Sequence, residues 1–276
     1  MLETTLCNEL LAADGLSLAE QAEVAAALGF VGLELAPATL GAEPHRLDKR
    51  EVTEIRRTVE AAGIRVTGLH WLLSGYPEAS VTDPEKLDET RTILFGLIGL
   101  CADLGGTVLV HGSPAQRVRP DGMSDDRLIA DLAEFFGPVA AAAERAGVTY
   151  CIEPLASVET RTITTIAEGA ALVEAVGSPA FQTMIDCKAA GLQEPPVADR
   201  IRDWVPRGVV GHIHANDTNL GAPGMGEDPF PEIVAALRDV GWDGLVGVEP
   251  FRTLIDGRVT AATGIATLRA CERAAL

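Results

Sequence analysis

The sequence predicts an α/β protein with a closed (β/α)8 barrel, the TIM-barrel architecture, built as a single domain over residues 1–276. Short β-branched or apolar segments alternate with longer alanine- and leucine-rich stretches of 3.6-residue periodicity, such as 125–147. Eight such units fit the chain, and no serine- or glycine-rich linker interrupts them. The predicted strands lie near 3–7, 30–35, 64–72, 107–111, 148–153, 181–186, 208–214 and 244–249.

The helix ends support this alternation. Gly29, Gly63, Gly147 and Gly241 follow helical stretches and precede strands, where a left-handed cap is expected. A doubly wound open sheet is the rival fold. It would need a glycine-rich phosphate-binding turn after the first strand, and "LCNELLAADG" contains none. The closed barrel is therefore favoured.

In the first half of the chain, polar residues mark the strand ends from which barrel enzymes build their sites. Strand 1 has no obvious candidate. Strand 2 ends in "GLELAP" with Glu34, strand 3 in "GLHWLL" with His70, and strand 4 in "LVHGSP" with His111. The pattern predicts that these three side chains reach the barrel mouth.

The second half of the chain continues the pattern with more acidic residues. Strand 5 ends in "CIEPL" with Glu153, strand 6 in "MIDCK" with Asp186, and strand 8 in "GVEPF" with Glu249. Strand 7 carries His212 and His214 two residues apart, so alternation places both imidazoles on the same face.

These residues predict a metal site. Three carboxylates held together repel one another and raise their pKa values, and a divalent cation removes that conflict. Oxygen ligands with one imidazole suit Mn²⁺, Mg²⁺ or Co²⁺, and Zn²⁺ remains possible. We expect one divalent ion, Mn²⁺ before the others, bound by Glu153, Asp186, His212 and Glu249.

The composition limits the class of protein. The chain is 47% hydrophobic and can bury a large core, but it has no uncharged apolar run long enough to span a membrane. The start "MLETTLCNEL" lacks a basic signal-peptide region, and the five scattered cysteines include no CxxC pair. A net charge of −18 disfavours nucleic acid. These features predict a cytoplasmic protein without membrane or nucleic-acid partners.

Eight segments in order resemble the sugar phosphate isomerase/epimerase family of the xylose-isomerase-like barrel superfamily, and the D-tagatose/D-psicose 3-epimerases most of all. They are "GLEL", "GLH", "LVHGSP", "IEPL", "IDCK", "GHIHANDTN", "PGMGE" and "GVEPF". The resemblance implies a sugar or sugar derivative as substrate, with Glu153 and Glu249 as the acid/base pair. It also implies a substrate contact from Glu159. We expect a homo-oligomer, either a dimer or a tetramer.

Two positions depart from the epimerase pattern. The family places a histidine three residues after the strand-6 aspartate, where this chain has Ala189, and an arginine six residues after the strand-7 histidine, where it has Thr218. Lys188 is a candidate to bind a substrate carboxylate or phosphate instead. The predicted substrate-binding residues are Glu34, His70, His111, Glu159, Lys188, His214 and Asp217.

The predicted reaction is proton abstraction next to a carbonyl, giving epimerisation or aldose–ketose isomerisation. An inosose dehydratase-like lyase with the same metal site is the main alternative. His70 and His111 keep open an endonuclease IV-like phosphodiesterase, which the net charge disfavours. A non-catalytic sugar-binding barrel is the third alternative.

Overall fold

The computed structural model describes residues 1–274 and confirms the barrel. Eight parallel strands pair in chain order, and β8 closes on β1. The predicted single domain extends to residue 276, so its last two residues lie outside the described range. The strands are β1 Glu3–Cys7, β2 Gly32–Leu35, β3 Arg65–Leu69, β4 Val108–His111, β5 Thr149–Ile152, β6 Phe181–Asp186, β7 Val210–Ala215 and β8 Leu245–Val248.

Helices connect successive strands around the outside of the barrel. They are α1 Glu9–Ala13, α2 Leu18–Leu28, α3 Lys49–Ala61, α4 Leu87–Leu104, α5 Asp125–Ala146, α6 Ile166–Val176, α7 Cys187–Gly191, α8 Val197–Trp204, α9 Phe230–Asp239 and α10 Gly257–Ala274. Short 3-10 helices occupy Pro37–Leu40, Pro44–Arg46 and Val205–Arg207. None of the helices within residues 1–274 is both long and apolar enough to cross a membrane.

Local sequence signals set the helix boundaries. Helix α2 begins at a capping box in which Ser17 and Glu20 satisfy each other's backbone N–H groups. It ends at Gly29 with φ of 88°, a conformation that an L side chain rarely adopts. Gly147 ends α5 in the same way, with φ of 70°. The helix ends predicted from glycine are confirmed at both positions.

Alternation along the strands separates an inner from an outer layer. Val108, Val110, Cys151 and Met184 form a small buried cluster in the barrel interior. Their strand neighbours, including Leu109 and Ile152, belong to the large core between the strands and the helices. This two-layer packing decides which strand-end side chains can reach the barrel mouth.

Candidate active site

Four buried side chains converge at the carboxyl ends of β5 to β8. Glu153 follows β5, Asp186 ends β6, His214 lies in β7, and Glu249 follows β8. One ligand atom from each lies within 4.8 Å of those of the other three. We call these four residues the carboxylate group. All are at most 4% exposed, so their charges are screened little by water.

The carboxylate group carries electrostatic strain. Burial raises the pKa of Glu153 well above its ordinary value, and the nearby Glu249 and Asp186 carboxylates raise it further. Burial also raises the pKa of Glu249, against the opposing effect of His214. Arg117 is fully buried beside them and donates from Nη1 to the Glu153 carbonyl oxygen at 2.7 Å.

His214 connects the carboxylate group to a second layer of residues below it. Its Nδ1 lies 2.9 Å from Glu249 Oε2, and its Nε2 lies 3.0 Å from Glu34 Oε1. The ring therefore directs Nδ1 towards the three carboxylates, while Glu34 holds the opposite nitrogen.

The prediction that His212 completes the metal-binding set disagrees with this geometry. His212 Nε2 lies 2.9 Å from Glu34 Oε2, and His212 is not part of the carboxylate group. The register between strands explains the difference. Asp186 pairs with His214, whereas His212 pairs with Met184, about 6.6 Å deeper in the barrel. An imidazole can contact the carboxylates at the strand ends only if its residue lies at the same height along the barrel axis, as His214 does.

Glu34 lies beneath the carboxylate group, contrary to its predicted role at the barrel mouth. Its side chain is inaccessible to solvent, and its two oxygens are bonded to His214 and His212. Burial opposes ionisation, but the two imidazoles hold the pKa of Glu34 well below its usual range. Glu34 thus remains a carboxylate that orients both histidines.

The structure adds Asn216, which the sequence reasoning missed. Its Nδ2 donates to Asp186 Oδ2 at 2.6 Å and to Glu249 Oε2 at 3.3 Å. Its Oδ1 accepts from the backbone N–H of Lys188 at 2.8 Å. The available signal was its place in "GHIHANDTN", directly after β7. This amide fixes the spacing of two carboxylates.

Lys188 and Glu159 form an ion pair next to the carboxylate group. Lys188 Nζ lies 3.0 Å from both Glu159 oxygens and 4.8 Å from the centre of the Phe251 ring. The lysine side chain is 4% exposed and that of Glu159 is 33% exposed. Glu159 is therefore the member of the pair that solvent can reach.

His111 does not face the barrel mouth, although it ends a strand as predicted. Val108 and Val110 point into the barrel, so alternation turns His111 outwards. Its Nδ1 lies 2.6 Å from the Tyr150 hydroxyl, and its ring packs edge-on against Phe136 of α5. The predicted substrate-binding role of His111 is incompatible with this buried position.

Asp217 is also engaged elsewhere. Its carboxylate accepts from the backbone N–H groups of Asn219 and Asp228 at 3.1 and 3.4 Å, and its side chain is buried. It shapes the loop between β7 and α9. The predicted contact between Asp217 and a substrate finds no support in this arrangement.

His70 lies with Cys7 and Glu34 on the β1–β3 side of the barrel, and one of its ring nitrogens is also within 4.8 Å of a Glu249 oxygen. One ligand atom from each of the three lies within 4.8 Å of the other two. His70 Nδ1 is 3.9 Å from Glu34 Oε1, and Nε2 is in contact with Glu9 Oε1. Burial raises the pKa of the Cys7 thiol to about 11. The sequence reasoning missed Cys7, whose only signal was its place as the last residue of strand 1.

Comparison with known proteins places this geometry in a family. The profile described as "Xylose isomerase-like TIM barrel" matches residues 22–271, nearly the whole chain. The chain belongs to the xylose isomerase-like TIM barrel family. Its curated relatives include sugar epimerases, so the enzyme class and the resemblance inferred from the strand-end motifs are confirmed.

Three individual relatives of this xylose isomerase-like barrel share between 20% and 38% of aligned residues with it. A D-psicose 3-epimerase of Ruminiclostridium cellulolyticum is 30% identical over 83% of this chain and 76% of its own length. One of Agrobacterium fabrum is 38% identical, over 38% of this chain and 36% of its own. An L-ribulose 3-epimerase structure superimposes with a TM-score of 0.82 at 20% identity, covering 100% of this chain and 96% of its own. That last likeness shows the shared fold.

Because His214, and not His212, joins the carboxylate group, a different residue now stands where the epimerase pattern has an arginine. The family arginine follows that histidine by six residues, which is Thr218 when counted from His212 and Leu220 when counted from His214. Leu220 is 46% exposed, and its carbonyl oxygen accepts from the backbone N–H groups of Phe251 and Arg252. Neither Thr218 nor Leu220 can supply a guanidinium.

Proposed function

We propose that this protein is a metal-dependent sugar epimerase of the ketose 3-epimerase type. The observation that carries the proposal is the carboxylate group, in which three buried carboxylates and one imidazole converge at the mouth of the barrel. The D-psicose and L-ribulose 3-epimerase relatives support the same reaction class. The substrate is then a ketose or a ketose derivative.

The carboxylate group suits a divalent cation by its donor chemistry. Burial and mutual repulsion oppose ionisation of Glu153, and a cation would stabilise the ionised form. Glu153, Asp186, Glu249 and His214 Nδ1 would hold it, while Glu34 bonds to the far nitrogen of His214. Three oxygen donors and one nitrogen favour Mn²⁺, with Mg²⁺, Co²⁺ and Zn²⁺ as alternatives.

Glu153 and Glu249 are the proposed acid/base pair. A bound cation would polarise the substrate carbonyl and so acidify the adjacent C–H bond. One glutamate takes the proton from carbon 3, and the other returns a proton to the opposite face of that carbon, which inverts the centre. Arg117 positions the Glu153 main chain, and His214 and Asn216 position the Glu249 carboxylate.

Glu159, held by Lys188, is the proposed substrate contact beyond the acid/base pair. Both oxygens of Glu159 already contact the lysine ammonium, and the Phe251 ring lies near the same ammonium. We therefore assign Lys188 to orienting Glu159, whose exposed edge accepts from sugar hydroxyl groups. A substrate anion that bound Lys188 directly would have to displace Glu159.

Two alternative functions can be weighed against this geometry. The outward orientation of His111 removes one of the two histidines that favoured an endonuclease IV-like phosphodiesterase. An inosose dehydratase-like lyase uses the same metal site, and only its products distinguish it from an epimerase. A cytoplasmic location and a homo-oligomeric assembly stay predictions.

The test is proton exchange in D₂O. The protein, loaded with Mn²⁺, is incubated with D-psicose, D-fructose, D-tagatose and L-ribulose, and then with keto-inositols, sugar acids and ketose phosphates. We expect deuterium at carbon 3 together with the C3 epimer of one ketose, and loss of both with chelator or with Glu153→Gln. Loss of water from a substrate would instead identify a lyase. A Mn²⁺-loaded protein that exchanges no proton in any substrate would contradict the proposal and favour the non-catalytic barrel.

A further inference from the structure

The β1–β3 side of the barrel contains a second cluster of metal-binding residue types, which adjoins the carboxylate group but shares no residue with it. We infer that Cys7, Glu34 and His70 form a binding site for a zinc-like cation, and we call these three residues the thiol group. They come from the ends of three adjacent strands. Their exposed fractions are 3%, 0% and 0%. This inference does not depend on the epimerase proposal.

The donor types determine which cation the thiol group suits. One sulfur, one carboxylate oxygen and one imidazole nitrogen form a mixed set that zinc accepts and that Mn²⁺ or Mg²⁺ does not prefer. Zinc with three protein ligands leaves a fourth position for water. Tetrahedral ligands at zinc distances lie about 3.4 Å apart. The 3.9 Å between His70 Nδ1 and Glu34 Oε1 is close to that spacing.

His70 supplies an independent observation. Its side chain is fully buried, and its Nδ1 has no hydrogen-bond partner among residues 1–274. Buried polar atoms are rarely left without partners, so an unpaired nitrogen points to a missing ligand. Nε2 contacts the Glu9 carboxylate, which leaves Nδ1 on the side of Glu34. A carboxylate behind the far nitrogen is the usual support for a metal-binding histidine.

Glu34 can serve both groups. Its Oε1 accepts from His214 Nε2 at 3.0 Å, and a carboxylate oxygen has a second lone pair available. Cys7 also lies within 4.8 Å of ligand atoms of His214 and Glu249. The Cys7 thiol could therefore bind a cation held by the carboxylate group instead of one held with Glu34 and His70. The experiment must distinguish these two sites.

The test uses Co²⁺, because a cobalt–thiolate bond produces a near-ultraviolet charge-transfer band. Metal-free protein is titrated with Co²⁺, and bound cobalt is counted after gel filtration. We expect two Co²⁺ per wild-type chain and a charge-transfer band. Asp186→Asn should bind one Co²⁺ and keep the band. Cys7→Ser and His70→Asn should each bind one Co²⁺, Cys7→Ser without any band. Cys151→Ser is the matched control, because this thiol lies in the apolar interior layer.

Three outcomes would contradict a cation site formed by Cys7, Glu34 and His70. The first is a folded wild-type protein that binds one Co²⁺ and shows no band. The second is a band that disappears in Asp186→Asn as well as in Cys7→Ser, which would assign the thiol to the carboxylate group. The third is a band that survives in Cys7→Ser. Circular dichroism of each variant checks folding, and an inactive epimerase would leave all of these readouts intact.

Discussion

The two sides of the barrel mouth bear different chemistry on the same scaffold. On the β5–β8 side, three carboxylates and His214 converge, and Asn216 bonds to two of the carboxylates. On the β1–β3 side, a thiol and an imidazole lie close to a single carboxylate, Glu34. The first side crowds negative charge, which raises the pKa of Glu153. On the second side the charge of Glu34 is balanced by His212 and His214, both from β7. A symmetric fold thus supports an asymmetric site, because each strand end contributes its own donor.

The largest effect on Mn²⁺ binding and catalysis is expected from His214→Ala, and a much smaller one from His212→Ala. His214→Ala removes a donor of the carboxylate group, so we expect loss of bound Mn²⁺ and a fall in kcat/KM of more than about 100-fold, since even supporting residues cost 10–100-fold. His212→Ala should retain Mn²⁺ and lose less than about 10-fold in kcat/KM, because the hydrogen bond of His212 is to Glu34 and not to a member of the carboxylate group. Elemental analysis and steady-state kinetics measure both. Equal metal loss in the two variants would mean that His212 is also a ligand.

Gly112→Ala should damage the β5–β8 side selectively. A Cβ at Gly112 would lie 1.6 Å from Glu153 Oε2, so the carboxylate must move away while the backbone is retained. We expect Mn²⁺ affinity to fall by about 10–100-fold, in the range that misplaced ligands cost, with little change at the thiol group. Competition with a fluorescent chelator measures the affinity.

The control for Gly112→Ala is Gly99→Ala in α4, where a Cβ would meet nothing within 4 Å. It should leave Mn²⁺ affinity unchanged. If Gly112→Ala bound Mn²⁺ as tightly as the wild type, the position of Glu153 in the carboxylate group would be incorrect.

Glu34→Gln should affect both sides, but less strongly. The amide retains the size of the side chain and loses one acceptor, so one of the two imidazole N–H groups loses its partner. We expect Mn²⁺ affinity to fall about 10-fold, the lower end of the cost of removing a supporting residue. The Co²⁺–thiolate band should weaken too. Unchanged affinity in both titrations would show that Glu34 orients neither group.

The smallest effect on catalysis should come from His111→Phe. The ring lies between β4 and α5, away from both groups, so kcat/KM should stay within about two-fold of the wild type. The Tyr150 hydroxyl loses its partner, and the free energy of unfolding should fall by about 1–3 kcal/mol. Urea denaturation measures that change. A large loss of activity in a folded variant would return His111 to the active site.

The sequence by itself determined the barrel and the convergence of three carboxylates at its mouth. Apolar residues recur with different spacings in strands and in helices, and glycine follows several of the helices. The eight repeating units can therefore be recognised in the sequence. Because parallel strands in a barrel all end at one face, Glu153, Asp186 and Glu249 could be predicted to meet there. The shared face of His212 and His214 followed from alternation alone, and both reach Glu34.

Only the tertiary structure decided how deep in the barrel each strand-end side chain lies and which residues it contacts. Alternation states which side chains share a face, but the level at which they meet depends on the register between strands. The pairing of Asp186 with His214 therefore chose the imidazole of the carboxylate group, against the sequence-based choice of His212. His111 turned outwards because Val108 and Val110 occupy the interior of β4. Cys7 acquires its neighbours Glu34 and His70 only when β1, β2 and β3 pair, since such contacts between distant segments leave no local pattern in the chain.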